Sequence, residues 1–113
     1  MPGALTTTIP NTAIHGFAKV MAEQLGKDGI TVNTICPGFT ATESWGPRAE
    51  GMAKMRGITP EEVIAERVAG IPARRMGEPD EFGAVAAFLC GQQAGYCTGG
   101  IWRVDGGRIK TIV

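Results

Sequence analysis

The chain has 113 residues, of which 43% are hydrophobic and 19% are charged, and its formal net charge at pH 7 is zero. This length predicts a single domain over residues 1–113, and the composition is typical of a soluble globular α/β protein. Lysine and arginine are dispersed and no apolar run is long enough to span a bilayer, so neither nucleic acid nor membrane is indicated as a partner.

The three cysteines, Cys36, Cys90 and Cys97, are an odd number and form no C-x-x-C pair. This pattern favours reduced, mostly buried thiols over a metal site or a redox pair. Because no secretion signal is visible either, we expect a cytoplasmic protein without a metal. The chain has only one serine and one histidine, so a Ser-His-Asp triad drawn from several candidate residues is excluded.

Residues 1–8 are small and polar and predict an extended lead-in, with Thr8 as the N-cap of a helix that begins near residues 9–11. Apolar residues then recur at helical spacing, at Ile14, Phe17, Ala18, Met21 and Leu25. This apolar face is wide, so we expect the helix to be buried on more than one side. Gly26 and Gly29 are expected to end it.

Residues 30–42, I-T-V-N-T-I-C-P-G-F-T-A-T, form a β-branched run that stops at a Pro-Gly pair. A run without polar alternation predicts a buried, parallel strand, and the Pro-Gly pair is expected to end it. Ligands in open α/β sheets bind just past the carboxyl ends of strands. Because Phe39, Thr40 and Thr42 occupy that position, they are the first candidates for a ligand site.

Residues 43–58 contain three glycines, two methionines and a tryptophan that looks exposed. This composition fits a surface loop with a short helix, and it fits equally a lid over the ligand loop. Next, the run T-P-E-E at residues 59–62 predicts a helix with a capping box that extends to about Ala69. Arg74 and Arg75 follow; they could bind phosphate, although a solvated loop pair is the favoured interpretation.

Pro79 is expected to open a last helix, whose body at residues 82–90 is apolar nearly all round and therefore predicted to be buried on both sides. A glycine-rich turn leads into a second strand at residues 101–104. Two parallel strands with a long helical crossover are a βαβ unit rather than a complete sheet. Either residues 3–8 add a strand, or another chain or a larger fold completes the sheet.

These landmarks resemble, in order, the C-terminal half of a classical short-chain dehydrogenase/reductase, over about Thr7 to Gly107. The stretch at residues 16–42, G-F-A-K-V-M-A-E-Q-L-G-K-D-G-I-T-V-N-T-I-C-P-G-F-T-A-T, resembles the family's helix–strand–P-G-x-x-x-T passage. G-E-P-D-E-F-G-A-V-A-A-F-L, Y-C-T-G-G and V-D-G-G resemble its last helix and strand. The resemblance implies a partial Rossmann-like, doubly wound α/β fold in an NAD(P)-dependent oxidoreductase family, with residues 43–76 as the variable substrate-binding region.

The resemblance also implies a cofactor-side loop. By it, Pro37, Gly38, Phe39, Thr40 and Thr42 line the nicotinamide and pyrophosphate of NAD or NADP. Backbone N–H groups and two hydroxyls could hold a carboxamide or a phosphate. The alternative is that Thr40 and Thr42 only cap the following turn.

The family's catalytic pair is replaced in this sequence. Counted back from Gly16, the Tyr and Lys of the family's Y-x-x-x-K pair fall on Thr7 and Asn11. In the family the tyrosine is the general acid/base, and the lysine cation lowers its pKa. A threonine hydroxyl titrates far above neutrality and asparagine carries no charge, so this pair cannot do the same chemistry. No glycine-rich nucleotide fingerprint is found either, so we expect no independent hydride transfer by this chain.

The remaining candidates for chemistry have ordinary interpretations. Tyr96 lies in the wrong motif to replace the catalytic tyrosine, and Ser44 follows the central strand instead of preceding it. His15 is predicted on the helix face opposite Ile14 and Phe17, where a surface or interface role is favoured.

Three hypotheses follow for function. The chain is part of an oxidoreductase without activity of its own, or it is a non-catalytic module that forms a homodimer or homotetramer. The assembly would use the helices at residues 9–27 and 79–91 and the strand at residues 101–104, whose edge is exposed. In the third hypothesis a partner chain supplies the nucleotide-binding half of a split enzyme.

Overall fold

The structure is a computed structural model that describes residues 4–111, with side chains from residue 8 onward. The helices and strands, in chain order, are α1 (Ala4–Leu25), β1 (Thr34–Pro37), α2 (Trp45–Arg56), α3 (Pro60–Ala69), α4 (Pro79–Cys90) and β2 (Ile101–Val104). Short 3-10 turns follow α1 and α4, at Gly26–Asp28 and Gln92–Ala94.

β1 and β2 pair in a two-stranded sheet. The N–H of Thr34 donates to the carbonyl of Gly100 at 3.0 Å, and that of Gly38 donates to the carbonyl of Val104 at 2.8 Å. Both partners advance together along the chain, so the strands are parallel. The crossover between them runs through α2, α3 and α4, which confirms the predicted α/β order and the second strand at residues 101–104.

The predicted start of the first helix is wrong. α1 already begins at Ala4, so residues 4–8 are helical rather than an extended lead-in or a strand, and residues 1–3 lie outside the described part. Thr8 is therefore not an N-cap, and Pro10 lies inside the helix. A proline inside a helix removes one backbone hydrogen bond and crowds the carbonyl of residue i−4, so the sequence favoured a start nearer to Pro10.

The chain divides into two compact units, the first made of the residues up to Cys36 together with Ala86–Trp102. In this unit α1 buries the small residues Ala18 and Ala22, whereas Ile14, Phe17 and Val20 are 53%, 65% and 51% exposed. The expectation that α1 is buried on several sides is therefore wrong within this chain. The apolar periodicity was correct for a helix, but the described residues of this unit leave about half or more of each larger side chain exposed.

Asn33 holds the segment before β1 in place. Its Nδ2 donates to the carbonyl of Cys97 at 2.7 Å, and its Oδ1 accepts from the N–H of Gly100 at 3.2 Å and from the indole N–H of Trp102 at 3.1 Å. These side-chain bonds join the residue just before β1 to residues before and within β2, and β1 begins at Thr34, not at Ile30. The predicted strand is thus shorter, and it is half-buried rather than buried.

The second unit consists of Pro37–Val85 and the residues from Arg103 onward. α2 packs against α3, and the unit buries Phe39, Ala49, Ala53, Val63 and Ile71. Residues 43–58 are thus mostly one helix, which is nearer to the surface-loop interpretation, while the lid hypothesis stays a prediction.

The predicted capping box of α3 is confirmed. The N–H of Glu62 donates to the Thr59 hydroxyl at 3.2 Å, and the N–H of Thr59 donates to the Glu62 carboxylate at 2.8 Å. Pro60 occupies the first helical turn, as predicted. This local pattern satisfies N–H groups at the helix start without any tertiary contact, so the sequence was sufficient to identify it.

Two burial predictions are wrong. α4 buries only Leu89, and Phe88 is 46% exposed, so the helix is not covered on both sides in this chain. The cysteines are free thiols as predicted, but Cys36 and Cys97 are half-buried and Cys90 is exposed.

Within residues 4–111, no helix is long and apolar enough to cross a membrane.

Replacing Asn33 with alanine is expected to lower the free energy of unfolding by about 2 kcal/mol, because a carbonyl and two N–H groups lose their partner in a half-buried place. Urea denaturation followed by circular dichroism measures this. Asn11→Ala is the matched control, since Asn11 is exposed on α1 and alanine favours helix. A stability of Asn33→Ala within about 0.5 kcal/mol of wild type would contradict the role given to Asn33.

Candidate functional site

The loop at residues 37–42 leaves the carboxyl end of β1 beside the end of β2. Pro37 is exposed, and the N–H of Gly38 donates to the carbonyl of Val104. A Cβ at Gly38 would lie 2.4 Å from the Cα of Asp105, which is far inside van der Waals contact. Glycine is therefore required here by the close approach of two backbones.

Phe39 anchors the loop. Its side chain is 4% exposed, and its ring meets the Trp45 ring edge-on, with centroids 4.2 Å apart and an interplanar angle of 85°. The Arg67 guanidinium lies 5.7 Å from the Phe39 centroid and 4.8 Å from the Trp45 centroid. Edge-on aromatic packing and cation–π attraction both stabilise this cluster. Phe39 therefore acts as a core residue that holds the loop.

The middle of the loop is pinned to Gly77. Thr40 and Gly77 form an isolated parallel bridge, in which the N–H of Ala41 donates to Gly77 at 2.8 Å and the N–H of Gly77 donates to Phe39 at 2.9 Å. Because this pairing uses backbone groups, the Thr40 hydroxyl is not needed for it. Thr40 itself is half-buried.

Thr42 ends the loop. Its carbonyl accepts the N–H of Trp45 at 2.9 Å, and its hydroxyl lies 2.9 Å from that of Ser44, the N-cap residue of α2. The first helical N–H is thus met by the Thr42 backbone, and the Ser44 side chain makes no capping bond. The exposed Thr42 hydroxyl and the half-buried Thr40 hydroxyl have the chemistry to bind a carboxamide or a phosphate oxygen.

A cleft of about 220 Å³ lies beside the loop. Of the predicted site residues only Phe39 lines it, together with Ala73, Arg75, Met76, Gly77, Glu81, Arg103, Val104, Asp105, Gly106 and Gly107. No binding role was predicted for Asp105 from the sequence. Its carboxylate accepts the N–H groups of Gly107 at 2.9 Å and Ile109 at 3.0 Å, so it shapes the turn.

Arg75 and Glu81 form a two-pronged ion pair at this cleft. The two guanidinium nitrogens donate to the two carboxylate oxygens at 2.7 and 2.5 Å. The hydrogen bond from Arg75, with help from the N–H of Glu78, lowers the pKa of Glu81 to about 2, and the pKa of Arg75 is raised by the same pair. Arg74 donates to the carbonyl of Ala69 at 2.8 Å. Both arginines therefore have partners on this chain, which does not favour the phosphate interpretation.

The two family positions for the catalytic pair lie on α1. Thr7 and Asn11 are one helical turn apart, and the Asn11 side chain is exposed, while the side chain of Thr7 lies outside the described part. Tyr96 is fully exposed. His15 is half-buried rather than on an open surface, and its Nε2 lies 3.4 Å from the Cys36 sulfur.

A family model described as enoyl-(acyl carrier protein) reductase matches residues 2–108. A short chain dehydrogenase family protein from Francisella tularensis superimposes on 92% of this chain with a TM-score of 0.86 and 30% sequence identity, over 43% of that protein. This chain belongs to the short-chain dehydrogenase/reductase family. The predicted C-terminal portion of a partial Rossmann-like fold is thereby confirmed.

Two further relatives agree with this assignment. The NADPH-dependent reductase BacG from Bacillus subtilis is 36% identical over 113 residues, which are 98% of this chain and 44% of that protein. L-sorbose reductase from Gluconobacter frateurii, solved with NADPH and L-sorbose, has a TM-score of 0.84 and 31% identity over 92% of this chain and 40% of that one. The chain thus spans about two fifths of the length of the relatives that it matches.

The Arg75–Glu81 pair is expected to make stability depend on pH. Because the pKa of Glu81 is lowered from 4.5 to about 2 in the folded chain, the pair stabilises the fold above about pH 4.5, and this contribution is lost as the pH falls toward 2. Glu81→Gln should therefore unfold at lower urea concentration than wild type at pH 7, and the difference should shrink between pH 4.5 and pH 2.

Arg75→Gln is the companion variant and should show the same pattern, since it removes the other half of the pair. Urea midpoints at pH 7, 4 and 2.5 measure both. Midpoints of wild type and Glu81→Gln that fall in parallel over this range would show that the pair does not contribute.

Proposed function

We propose that this chain forms the C-terminal, cofactor-facing part of an NAD(P)-dependent oxidoreductase that moves hydride between a nicotinamide and a carbonyl or alcohol substrate. Family membership and the NADPH named for its relatives support the cofactor class. The single observation that carries the proposal is the 37–42 loop. It is held at the carboxyl end of a parallel strand, where such folds bind ligands, and it offers two hydroxyls there.

The chain's own contribution would be to bind and orient. The Gly38–Asp105 contact and the Thr40–Gly77 bridge fix the loop before any ligand binds, so little conformational entropy is lost on binding. Thr40 and Thr42 would donate to or accept from the carboxamide of the nicotinamide. The nicotinamide, when bound, supplies or accepts the hydride.

In this proposal the residues of this chain do not complete the reaction by themselves. When hydride reaches a carbonyl carbon, a proton must reach the oxygen, and an acid with a suitable pKa must supply it. Thr7 and Asn11, at the family positions for that acid and its cation, cannot do so. Catalysis would then need an acid/base group and nucleotide-binding residues from beyond the described segment or from a partner chain.

Calorimetric titration of the folded chain with NADPH and NADH tests this proposal. We expect saturable binding of at least one of them, and we expect Thr42→Ala to weaken it about threefold to tenfold by removing one hydrogen bond to the ligand. Thr111→Ala is the matched control, since Thr111 is an exposed threonine that is not part of the loop.

No binding by the folded chain, or equal affinities of Thr42→Ala and wild type, would refute the role of the loop. An assay of NADPH oxidation with a panel of carbonyl compounds tests the other half of the proposal. Robust turnover by this chain alone would refute the claim about Thr7 and Asn11.

We also propose that the first unit associates with copies of itself, because a specific feature favours this. Ile14, Phe17 and Val20 form a stripe on α1 that is more than half exposed, and Phe88 and Ile101 add further exposed apolar surface in the same unit. Each strand of the two-stranded sheet also has a single neighbour within the described residues, so each offers an edge for pairing.

Sedimentation equilibrium at micromolar concentration is expected to give a dimer or tetramer. Phe17→Glu should shift the mass toward the monomer, because a charge would be buried in the interface, while the helical circular dichroism is kept. Met55→Glu is the control, since Met55 is 81% exposed and lies on α2 in the other unit. A folded monomer of the wild-type chain would refute the association.

A further inference from the structure

A second concave surface lies between α2 and α3. This groove has a volume of about 390 Å³ and is lined by Trp45, Pro47, Arg48, Gly51, Met52, Met55 and Arg67. Its volume is in the range of small-molecule sites. Trp45 and Met55 lie ten positions apart on α2, so the groove runs for roughly 15 Å along the helix. Met55 is 81% exposed, so the groove opens to solvent.

The groove lining includes apolar side chains that can adapt to a ligand. Trp45 adds an aromatic ring, and Met52 and Met55 add flexible thioethers that adjust to ligands of different shape. Gly51 adds no side chain, and a Cβ built there meets nothing within 4 Å, so space is left above the helix backbone. These features suit a hydrocarbon chain or a ring.

The charged side chains that line the groove are all positive. Arg48 and Arg67 line it, and no lining residue carries a carboxylate. Among the described side chains the ion pairs are Arg56–Glu66 and Arg75–Glu81, so neither groove arginine has an acidic partner there.

Arg67 is also held in place. It is half-buried, its guanidinium lies over the Trp45 and Phe39 rings, and it contacts the Met52 sulfur at 3.7 Å. Arg48 lies 6.0 Å from the centroid of the Trp45 ring. A guanidinium stacked in this way keeps N–H donors available and loses little freedom when an anion binds.

We propose that the α2–α3 groove binds an amphipathic anion, a carboxylate or phosphate attached to an apolar chain or ring. The headgroup pairs with Arg67 and Arg48, and the apolar part lies along Trp45 and the two methionines. This inference deepens the proposed function, because it names the substrate class of the same polypeptide region. Trp45 and Arg67 connect the groove directly to Phe39 of the 37–42 loop.

The test uses the whole chain without nucleotide, so its outcome is independent of cofactor binding. Octanoate and octyl phosphate are the two anionic probes, one for each headgroup. The neutral control with the same chain is 1-octanol, and acetate and inorganic phosphate are the controls that carry a headgroup without the chain. The indole N–H signals of Trp45 and Trp102 are followed by NMR and assigned with Trp45→Phe. We expect octanoate or octyl phosphate to shift the Trp45 signal saturably, with an affinity at least threefold higher than that of octanol. The Trp102 signal should not move, and acetate and inorganic phosphate should bind more weakly than the octyl anions.

Substitutions then separate charge from packing. Arg67→Gln and Arg48→Gln should each weaken binding of the anionic probe by about threefold to tenfold and leave octanol unchanged. Arg56→Gln is the matched control on the same helix, since Arg56 is paired with Glu66 and does not line the groove, and it should keep the affinity within twofold. Because Arg48 is exposed, its replacement keeps the test valid even if Arg67→Gln unfolds the chain.

Three results would overturn the inference. These are no saturable shift at Trp45 with either anionic probe, octanol binding as tightly as the anions, or unchanged affinity in Arg48→Gln. Binding of one anion and not the other would support the groove and assign its headgroup. Loss of NADPH binding with intact octanoate binding would refute the proposed function and leave this inference standing.

Discussion

The close approach of Gly38 and Asp105 is the constraint on which the candidate site depends. Their backbones lie so near that a single Cβ would overlap the Asp105 Cα. This contact sets where the chain leaves β1, and the following residues, up to Thr42, form the loop. The Asp105 carboxylate accepts two backbone N–H groups, which stabilise the turn that faces the loop.

The next turn residue continues this packing. Gly106 has a φ of +63°, and a Cβ there would lie 2.8 Å from Ile71. Only glycine tolerates both the left-handed backbone and the contact. The N–H of Ala73 also donates to the Gly106 carbonyl at 3.0 Å. The connector after α3 is thus held against the turn that lines the cleft.

The Phe39–Trp45–Arg67 cluster joins two features that the sequence separates. Phe39 belongs to the loop after β1, Trp45 begins α2, and Arg67 lies near the end of α3. One guanidinium over two aromatic rings therefore links the proposed cofactor loop to the groove on α2 and α3. The loop, the start of α2 and the end of α3 therefore share one cluster of contacts.

The sequence by itself determined those features of the structure that depend on residues close together in the chain. The Thr59 capping box, the start of α4 at Pro79, the strand at residues 101–104 and the order of the family motifs were predictable, because each rests on local backbone chemistry or on ordered spacing. Only the tertiary structure decided which apolar faces are covered, that the Asn33 side chain bonds to residues before and within β2, and that the Arg67 guanidinium lies over the Phe39 and Trp45 rings. Such contacts join residues far apart in the chain, and periodicity reports that a face is apolar without reporting what lies against it.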